Sequence, residues 1–250
     1  MSAGGSHSGR VAVVTGGARG FGRAIAGELA RRGAEIAVVD LADASETVAG
    51  IEAAGGRARA YRADVSDPAS VEAAGRRILD HHGRADILVN NAGIIVVRDF
   101  FDTDFETWKR VQSVNLDSQF LMARTFAGVM RDNGWGRIVN LASNTLGLAA
   151  SHLTSYIASK GGVVGLTRGL ASDLAPYGIT VNAVAPTASR TPGGVQSITE
   201  ENLRLSAEMQ AIKRVGVAAD IVGTVCFLTG DDSSFVTGQT IVADGGWVRL

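Results

Sequence analysis

The sequence predicts a single doubly wound α/β domain with a mostly parallel, seven-stranded sheet. Three observations carry that expectation. Short runs rich in Val, Ile and Ala alternate with stretches of helical periodicity along the whole chain. A glycine-rich turn, Thr15 to Gly22, joins the first run to the first helical stretch. No linker or change of composition divides the 250 residues.

Val11 to Thr15 reads as a buried strand, followed by T-G-G-A-R-G-F-G and a helix to Gly33. Gly16, Gly20 and Gly22 let the backbone approach a pyrophosphate, and the helix N-terminus offers N–H groups to it. Glu35 to Val39 is a second strand closed by Asp40, 18 residues after Gly22. A carboxylate there reaches the adenosine ribose and repels a 2′-phosphate, which favours NAD over NADP. Equally, Asp40 could cap a helix starting near Ala42, and Arg19 in the turn could meet a 2′-phosphate. Arg57 to Ala63 is a third strand ending at Asp64-Val65, where Asp64 could accept from an adenine amino group. A helix from Pro68 to His82 follows, then a strand from Asp86 to Val89 that ends in N-N-A-G, Asn90 to Gly93.

Phe105 to Arg131 reads as one long helix with Asn115 inside it. Asparagine competes for backbone groups in a helix, so a kink or a bound water is expected there. Gly136 to Leu141 is the fifth strand, and Ser143 stands just past its end. Tyr156 and Lys160 follow on the next helix at a spacing of four, hence on one face about one turn apart. A nearby ammonium favours the phenolate, and a serine hydroxyl and a phenol can converge on one carbonyl oxygen. On its own the Tyr–Lys pair could equally be a surface pair on an amphipathic helix. Ile179 to Val184 is the sixth strand, Ala185 to Pro192 a loop, Ala218 to Thr229 a helix and Gln239 to Val242 a last strand.

Composition excludes other classes. A net charge of −1 without a basic run offers no footprint for nucleic acid. No apolar run reaches membrane-spanning length. The N-terminal nine residues lack an apolar signal core and read as a flexible tail, with residues 10–250 as the domain, which places the protein in the cytoplasm. Cys226 is the only cysteine and sits in an apolar helix, as a buried structural thiol. The four histidines show no metal-ligand spacing with carboxylates or Cys226, so no metal site is expected.

These landmarks in this order resemble the short-chain dehydrogenase/reductase family: T-G-G-A-R-G-F-G, Asp64-Val65, N-N-A-G, Asn115, Ser143, Y-I-A-S-K and T-G-Q-T-I-V-A-D-G-G. The resemblance implies a Rossmann-type domain, a homotetramer and a catalytic tetrad of Asn115, Ser143, Tyr156 and Lys160, with Asn115 positioning a water that passes protons towards Lys160. It implies cofactor contacts at Gly16, Gly20, Gly22, Asp40, Asp64, Val65 and Asn91. The same cofactor site is expected to include Arg19, Phe21, Leu41, Ala92, Gly93, Tyr156, Lys160, Pro186, Thr187, Ser189 and Thr191. Pro186-Thr187 and Ser189 depart from the family's usual Pro-Gly and aliphatic residue. N-G-W-G-R-I-V-N-L, L-A-S-D-L and F-V-T-G-Q-T are similar to 1-phenylethanol dehydrogenases, and A-S-N-T with K-G-G-V-V-G-L-T-R to pyridoxal 4-dehydrogenases.

The expected activity is reversible hydride transfer between NAD and a neutral, hydrophobic, secondary aryl or cyclic alcohol/ketone pair. The substrate is expected to meet Ile94, Asn144, Thr145, Leu153 and Tyr156. The pocket is expected within segments 94–97, 145–153 and 188–209, with Val96, Leu146, Leu148 and Met209 also lining it and His152 nearby. Two alternatives remain at this point: an NADP-linked carbonyl or 3-ketoacyl reductase, and a non-catalytic nucleotide-binding protein on the same fold.

Overall fold

The computed structural model describes residues 5–191 and 198–249. The elements run β1 (Val11–Thr15), α1 (Gly20–Arg31), β2 (Glu35–Asp40), α2 (Ser45–Ala53), β3 (Arg57–Arg62), α3 (Pro68–His82) and β4 (Ile87–Asn90). Then follow α4 (Phe105–Gln112), a π-helical turn (Ser113–Asp117), α5 (Ser118–Asp132), β5 (Gly136–Leu141) and α6 (Thr154–Leu174). The chain continues with β6 (Ile179–Pro186), β7 (Ser189–Arg190), α7 (Glu200–Met209), β8 (Gly216–Val217), α8 (Ala219–Leu228) and β9 (Thr240–Ala243).

Seven strands form one sheet in the order β3-β2-β1-β4-β5-β6-β9, and each neighbouring pair is parallel. The sheet expected to be mostly parallel is therefore parallel throughout. Strand residues alternate between two cores, as the period of two demands. Ala12, Val14, Ile36 and Val38 face Ile25, Leu29, Ile51, Ile221 and Val225 of α1, α2 and α8. Val13, Ala37 and Val39 face Val71, Ile78, Met122, Phe126 and Ala171 of α3, α5 and α6. Both faces are covered, so β1 and β4 are buried at every position and read as continuous apolar runs. Ser189 and Arg190 pair with Gly216 and Val217 as a separate two-residue ribbon beside the strand ends.

Four expectations change. The long helix from 105 to 131 is interrupted by the π-helical turn around Asn115, the kink that a buried asparagine foreshadowed. Helix α2 begins at Ser45 with Ala44 before it, so Asp40 does not cap it. Within the expected tail, His7 is an anchor while Gly5, Ser6, Ser8 and Gly9 are exposed. His7 is buried, its Nε2 lies 2.9 Å from Thr229 Oγ1 and its N–H donates to Arg32 O at 3.0 Å. The tail looks polar in sequence because its one anchoring ring bonds at both nitrogens, the other 2.9 Å from Ser6 Oγ. Finally, Glu35 at the start of β2 lies beside His81 and His82 at the end of α3, a cluster hidden by sequence separation. Arg59 Nη1 lies 2.8 Å from His81 Nδ1 and Arg57 Nη2 3.3 Å from Glu35, so guanidinium groups already partner two members of the cluster. Among the described residues, no helix is long and apolar enough to cross a membrane.

Candidate active site

The C-terminal ends of β1, β2, β4, β5 and β6 line one edge of the sheet, where loops leave backbone groups free for a ligand. At the end of β1, Thr15 Oγ1 accepts the N–H groups of Asn91 and Ala92 at 3.0 Å each. Asn91 Nδ2 donates back to Thr15 O at 2.9 Å and Gly16 O at 3.0 Å. The glycine-rich turn is thus clipped to the end of β4. Gly16 has φ +64°, and a Cβ on it would lie 2.8 Å from Asn91 Nδ2. A Cβ on Gly22 would lie 2.1 Å from Gly16 O, so α1 and the turn approach as closely as backbone allows.

Asp40 ends β2 against this turn. Its Oδ2 accepts from Ala18 N–H and its Oδ1 from Ala42 N–H, both at 2.9 Å. Arg23 and Thr47 brace the turn from behind, through Ala18 O and Gly17 O. Neither was singled out in the sequence, because their partners are backbone carbonyls of another element. Arg19 is exposed, Leu41 is exposed beside Asp40, and Phe21 packs on the first core instead of standing in the cleft. At the end of β3, Asp64 Oδ1 accepts from Ser66 N–H at 2.9 Å and from Ser66 Oγ–H at 2.6 Å, and Val65 is buried.

Asn115 is buried in the π-helical turn. Its Oδ1 accepts from Ile94 N–H at 2.8 Å, while its Nδ2 donates to Ile94 O at 2.9 Å and to Ser159 Oγ at 3.1 Å. The side chain thus ties the chain after Gly93 to the Ser159 hydroxyl on α6. Gly93 faces this point, where a Cβ would lie 3.3 Å from Asn115 Oδ1 and 3.8 Å from Lys160 Nζ.

Ser143 follows β5, and Tyr156 and Lys160 lie on α6. Lys160 is buried, and its Nζ donates to Leu141 O at 2.6 Å. Burial draws its pKa down to about 8. The Tyr156 phenol is pushed up by burial and pulled back by a hydrogen bond with Ser143. Lys160 Nζ stands 5.7 Å from the centre of the Tyr156 ring. Behind them runs a buried amide ladder. Asn90 Nδ2 donates to Asn140 Oδ1, and Asn140 Nδ2 to Thr167 Oγ1, each at 2.9 Å. This ladder fixes β4, β5 and α6 in register. Asn140 escaped notice because a strand-interior asparagine has no local motif.

Of the expected substrate residues, Ile94 and Leu153 are half-buried. Asn144 is buried, and its Nδ2 donates to Asp244 Oδ2 at 3.2 Å. Thr145 Oγ1 donates to Ser143 Oγ at 3.0 Å. His152 holds φ +61°, and its carbonyl accepts from Arg98 N–H at 2.9 Å, tying the 94–103 loop to the segment before α6. Met209 and Leu146 are exposed. Residues 192–197 of the third expected pocket segment lie outside the described residues.

The groups along this edge fit a dinucleotide. Side chains at Gly16 and Gly22 would clash with the turn and Asn91, and Thr191 Oγ1 stands 3.5 Å from where a Cβ on Gly20 would lie. Thr187 Oγ1 is buried without a hydrogen-bond partner among the described residues, an acceptor and donor left open beside the strand ends. Ser189 Oγ donates to Thr187 O at 3.1 Å, so it supports Thr187 from within the protein.

Comparison with known proteins agrees. A family model described as enoyl-(acyl carrier protein) reductase matches residues 16–248. A short-chain dehydrogenase/reductase of Armillaria gallica is 38% identical over 96% of this chain and 96% of its own. A 3-oxoacyl-[acyl-carrier-protein] reductase of Synechocystis is 37% identical over 96% of this chain and 98% of its own. The crystal structure of a dehydrogenase/reductase from Sinorhizobium meliloti 1021 superposes with a TM-score of 0.90 at 38% identity, over 97% of this chain and 96% of that one. With its parallel sheet, its glycine cradle and the Ser143–Tyr156–Lys160 cluster at the strand ends, the chain belongs to the short-chain dehydrogenase/reductase family of nicotinamide-dependent oxidoreductases.

Proposed function

We propose that the protein catalyses reversible hydride transfer between NAD and a neutral, hydrophobic secondary alcohol and its ketone, aryl or cyclic in character. The observation that carries this reading is the convergence of Ser143 from β5 with Tyr156 and Lys160 from α6 beside the glycine cradle. The nicotinamide, when bound, supplies the hydride donor or acceptor. Ser143 donates a hydrogen bond to the substrate oxygen. Tyr156 takes the hydroxyl proton in oxidation and returns it in reduction. Lys160, bonded to Leu141 O and 5.7 Å from the centre of the Tyr156 ring, holds the ribose side of the cofactor and steadies the phenolate as the proton leaves. Asn115 keeps the backbone at Ile94 and α6 in place.

Gly16, Arg19, Gly20 and Gly22 would hold the pyrophosphate, and Asp40 with Leu41 the adenosine ribose. Asp64 and Val65 would hold the adenine. Asn91, Ala92, Gly93, Pro186, Thr187, Ser189 and Thr191 would frame the nicotinamide half. Asp40 supports NAD, because a carboxylate facing a 2′-phosphate leaves two like charges in contact. A neutral substrate is supported by the cations of the third pocket segment. Arg190 pairs with Glu200 and Arg204 with Glu208, so neither offers an unneutralised guanidinium. Exposed Phe105, Phe120, Phe227 and Phe235 support self-association, in keeping with a homotetramer, which light scattering after gel filtration measures.

A second reading, an NADP-linked 3-ketoacyl reductase, draws on exposed Arg19 in the turn and on the similarity to a 3-oxoacyl reductase. One experiment separates the two. Neutral aryl alkyl ketones, 3-ketoacyl thioesters and sugars are assayed with NADH and NADPH. The first reading expects the highest kcat/KM with a neutral ketone and NADH. Efficient turnover confined to thioesters or polyols, or to NADPH, overturns it.

A further inference from the structure

The turn carrying Ser143 is organised by its own next residues. Ser143 opens a 3-10 turn, and its Oγ accepts from Thr145 N–H at 3.2 Å and from Thr145 Oγ–H at 3.0 Å. A serine hydroxyl has two acceptor lone pairs and one proton. With both lone pairs engaged by one residue, the proton is the valence left for the cleft. Tyr156, on α6, is the titratable neighbour that senses Ser143, whose hydroxyl acts to lower the phenol pKa against the effect of burial.

The turn is also held from behind. Buried Asn144 donates to Asp244 Oδ2, and the Asp244 carboxylate accepts from the N–H groups of Gly246, Trp247 and Val248 at 3.0, 3.1 and 2.8 Å. Val248 lies so close that a Cβ on Gly147 would be 2.4 Å from its Cγ1. A residue 100 positions away thus fixes the backbone on which the Thr145 hydroxyl can reach Ser143. Rotating away would require Thr145 to give up a hydrogen bond inside a turn that cannot shift.

We propose that Thr145, expected from sequence to touch substrate, is instead a positioning residue that fixes the Ser143 hydroxyl as a donor towards the substrate oxygen. This rests on the hydride-transfer reading above. In reduction the carbonyl oxygen gains negative charge, and a donor already aimed at it needs no reorganisation. A Ser143 free to rotate would also populate the orientation that accepts, which opposes that charge. The same polarisation strengthens the donor that Ser143 presents to the Tyr156 phenolate in the free enzyme. The titratable groups around the turn are Tyr156 and Lys160 on α6 and Asp244 behind Asn144.

The test compares wild type with Thr145→Val, which keeps the shape and the backbone N–H but removes the hydroxyl, and with Thr145→Ser, which restores it. An ultraviolet difference titration of the Tyr156 phenolate, with Tyr156→Phe as the blank, needs no substrate. Thr145→Val is expected to raise the Tyr156 pKa by roughly half a unit. With NADH and a neutral aryl alkyl ketone, kcat is expected to fall about tenfold while KM changes less than about threefold. Thr145→Ser is expected to return both readings to wild type, and NADH affinity to stay constant across the three proteins. An unmoved phenolate titration, or failure of Thr145→Ser to restore it, overturns the proposal. So does a Thr145→Val enzyme faster than wild type, because Ser143 would then have been donating to Thr145. If wild type reduces no ketone with either cofactor, the hydride-transfer reading fails, while the phenolate titration still decides the role of Thr145.

Discussion

Asn115 pairs with the backbone of Ile94 as a strand would: its Oδ1 accepts from Ile94 N–H at 2.8 Å and its Nδ2 donates to Ile94 O at 2.9 Å. The π-helical turn at Ser113–Asp117 places this amide where a regular helix would carry it past the loop. Asn115→Leu has similar bulk and loses three hydrogen bonds at a buried site. At about 1 kcal/mol each, this is expected to destabilise the protein by roughly 3 kcal/mol. Denaturant unfolding checks that. Turnover is expected to fall further than stability predicts, because Gly93 and the start of α6 both lose their brace. A variant with wild-type stability and activity would show the pairing to be incidental.

Tyr156 is assigned the proton transfer. Tyr156→Phe keeps the ring and removes the hydroxyl, and is expected to lower kcat by at least about a thousandfold while NADH still binds by fluorescence. Turnover within tenfold of wild type would place the acid–base group elsewhere.

Burial draws Lys160 down to about 8 and pushes Tyr156 up. Oxidation requires the phenolate, so its rate is expected to rise with pH until Tyr156 has ionised. Any charge remaining on Lys160 favours that ionisation. Lys160→Ala is therefore expected to move the rising limb to higher pH and to weaken cofactor binding. A limb that stays in place in the variant would limit Lys160 to holding the cofactor.

Asp40 bonds to the glycine-rich turn through Ala18 N–H and to Ala42 N–H. Asp40→Ser keeps a short acceptor and removes the charge. The ratio of kcat/KM for NADH over NADPH is expected to drop by about tenfold or more. The two cofactors assayed side by side decide it, and an unchanged ratio would move cofactor choice to another residue.

His7 joins the N-terminal segment to α8 through Thr229. Burial lowers its pKa below the ordinary 6.5. Between that value and the lower folded one, the unfolded chain binds a proton that the folded chain refuses. Stability contributed by neutral His7 is therefore present above about pH 6.5 and is lost as the pH falls through this window. His82 is lowered in the same direction by burial, so it adds to the slope. Melting curves from pH 8 to pH 5 are expected to show a Tm fall that His7→Gln makes shallower. An equal slope in both proteins would mean that His7 titrates as it does in the unfolded chain.

What was legible in the sequence was local. The period of two in the strands, the glycine-rich turn and the spacing of four between Tyr156 and Lys160 are all set by neighbours in the chain, and each appears in the structure where the pattern placed it. The placement of Asp40, Asp64, Asn91 and Ser143 at strand ends was legible too, since a parallel sheet brings the ends of its strands to one edge. Partners far away in the chain were not legible. The bonds of Asn115 to Ile94, of Asn144 to Asp244 and of His7 to Thr229 have no local signature. Asn140, Arg23 and Thr47 carried no signal.

The sequence by itself determined the main strands and helices of the sheet, because backbone conformation and the burial of one face follow from short-range sterics and periodicity. Only the tertiary structure decided which polar side chains remain free for chemistry and which are committed to holding the fold. A buried amide or carboxylate must find its partners wherever strand order and register bring them, and for Asn144 and Asp244 that is 100 residues apart.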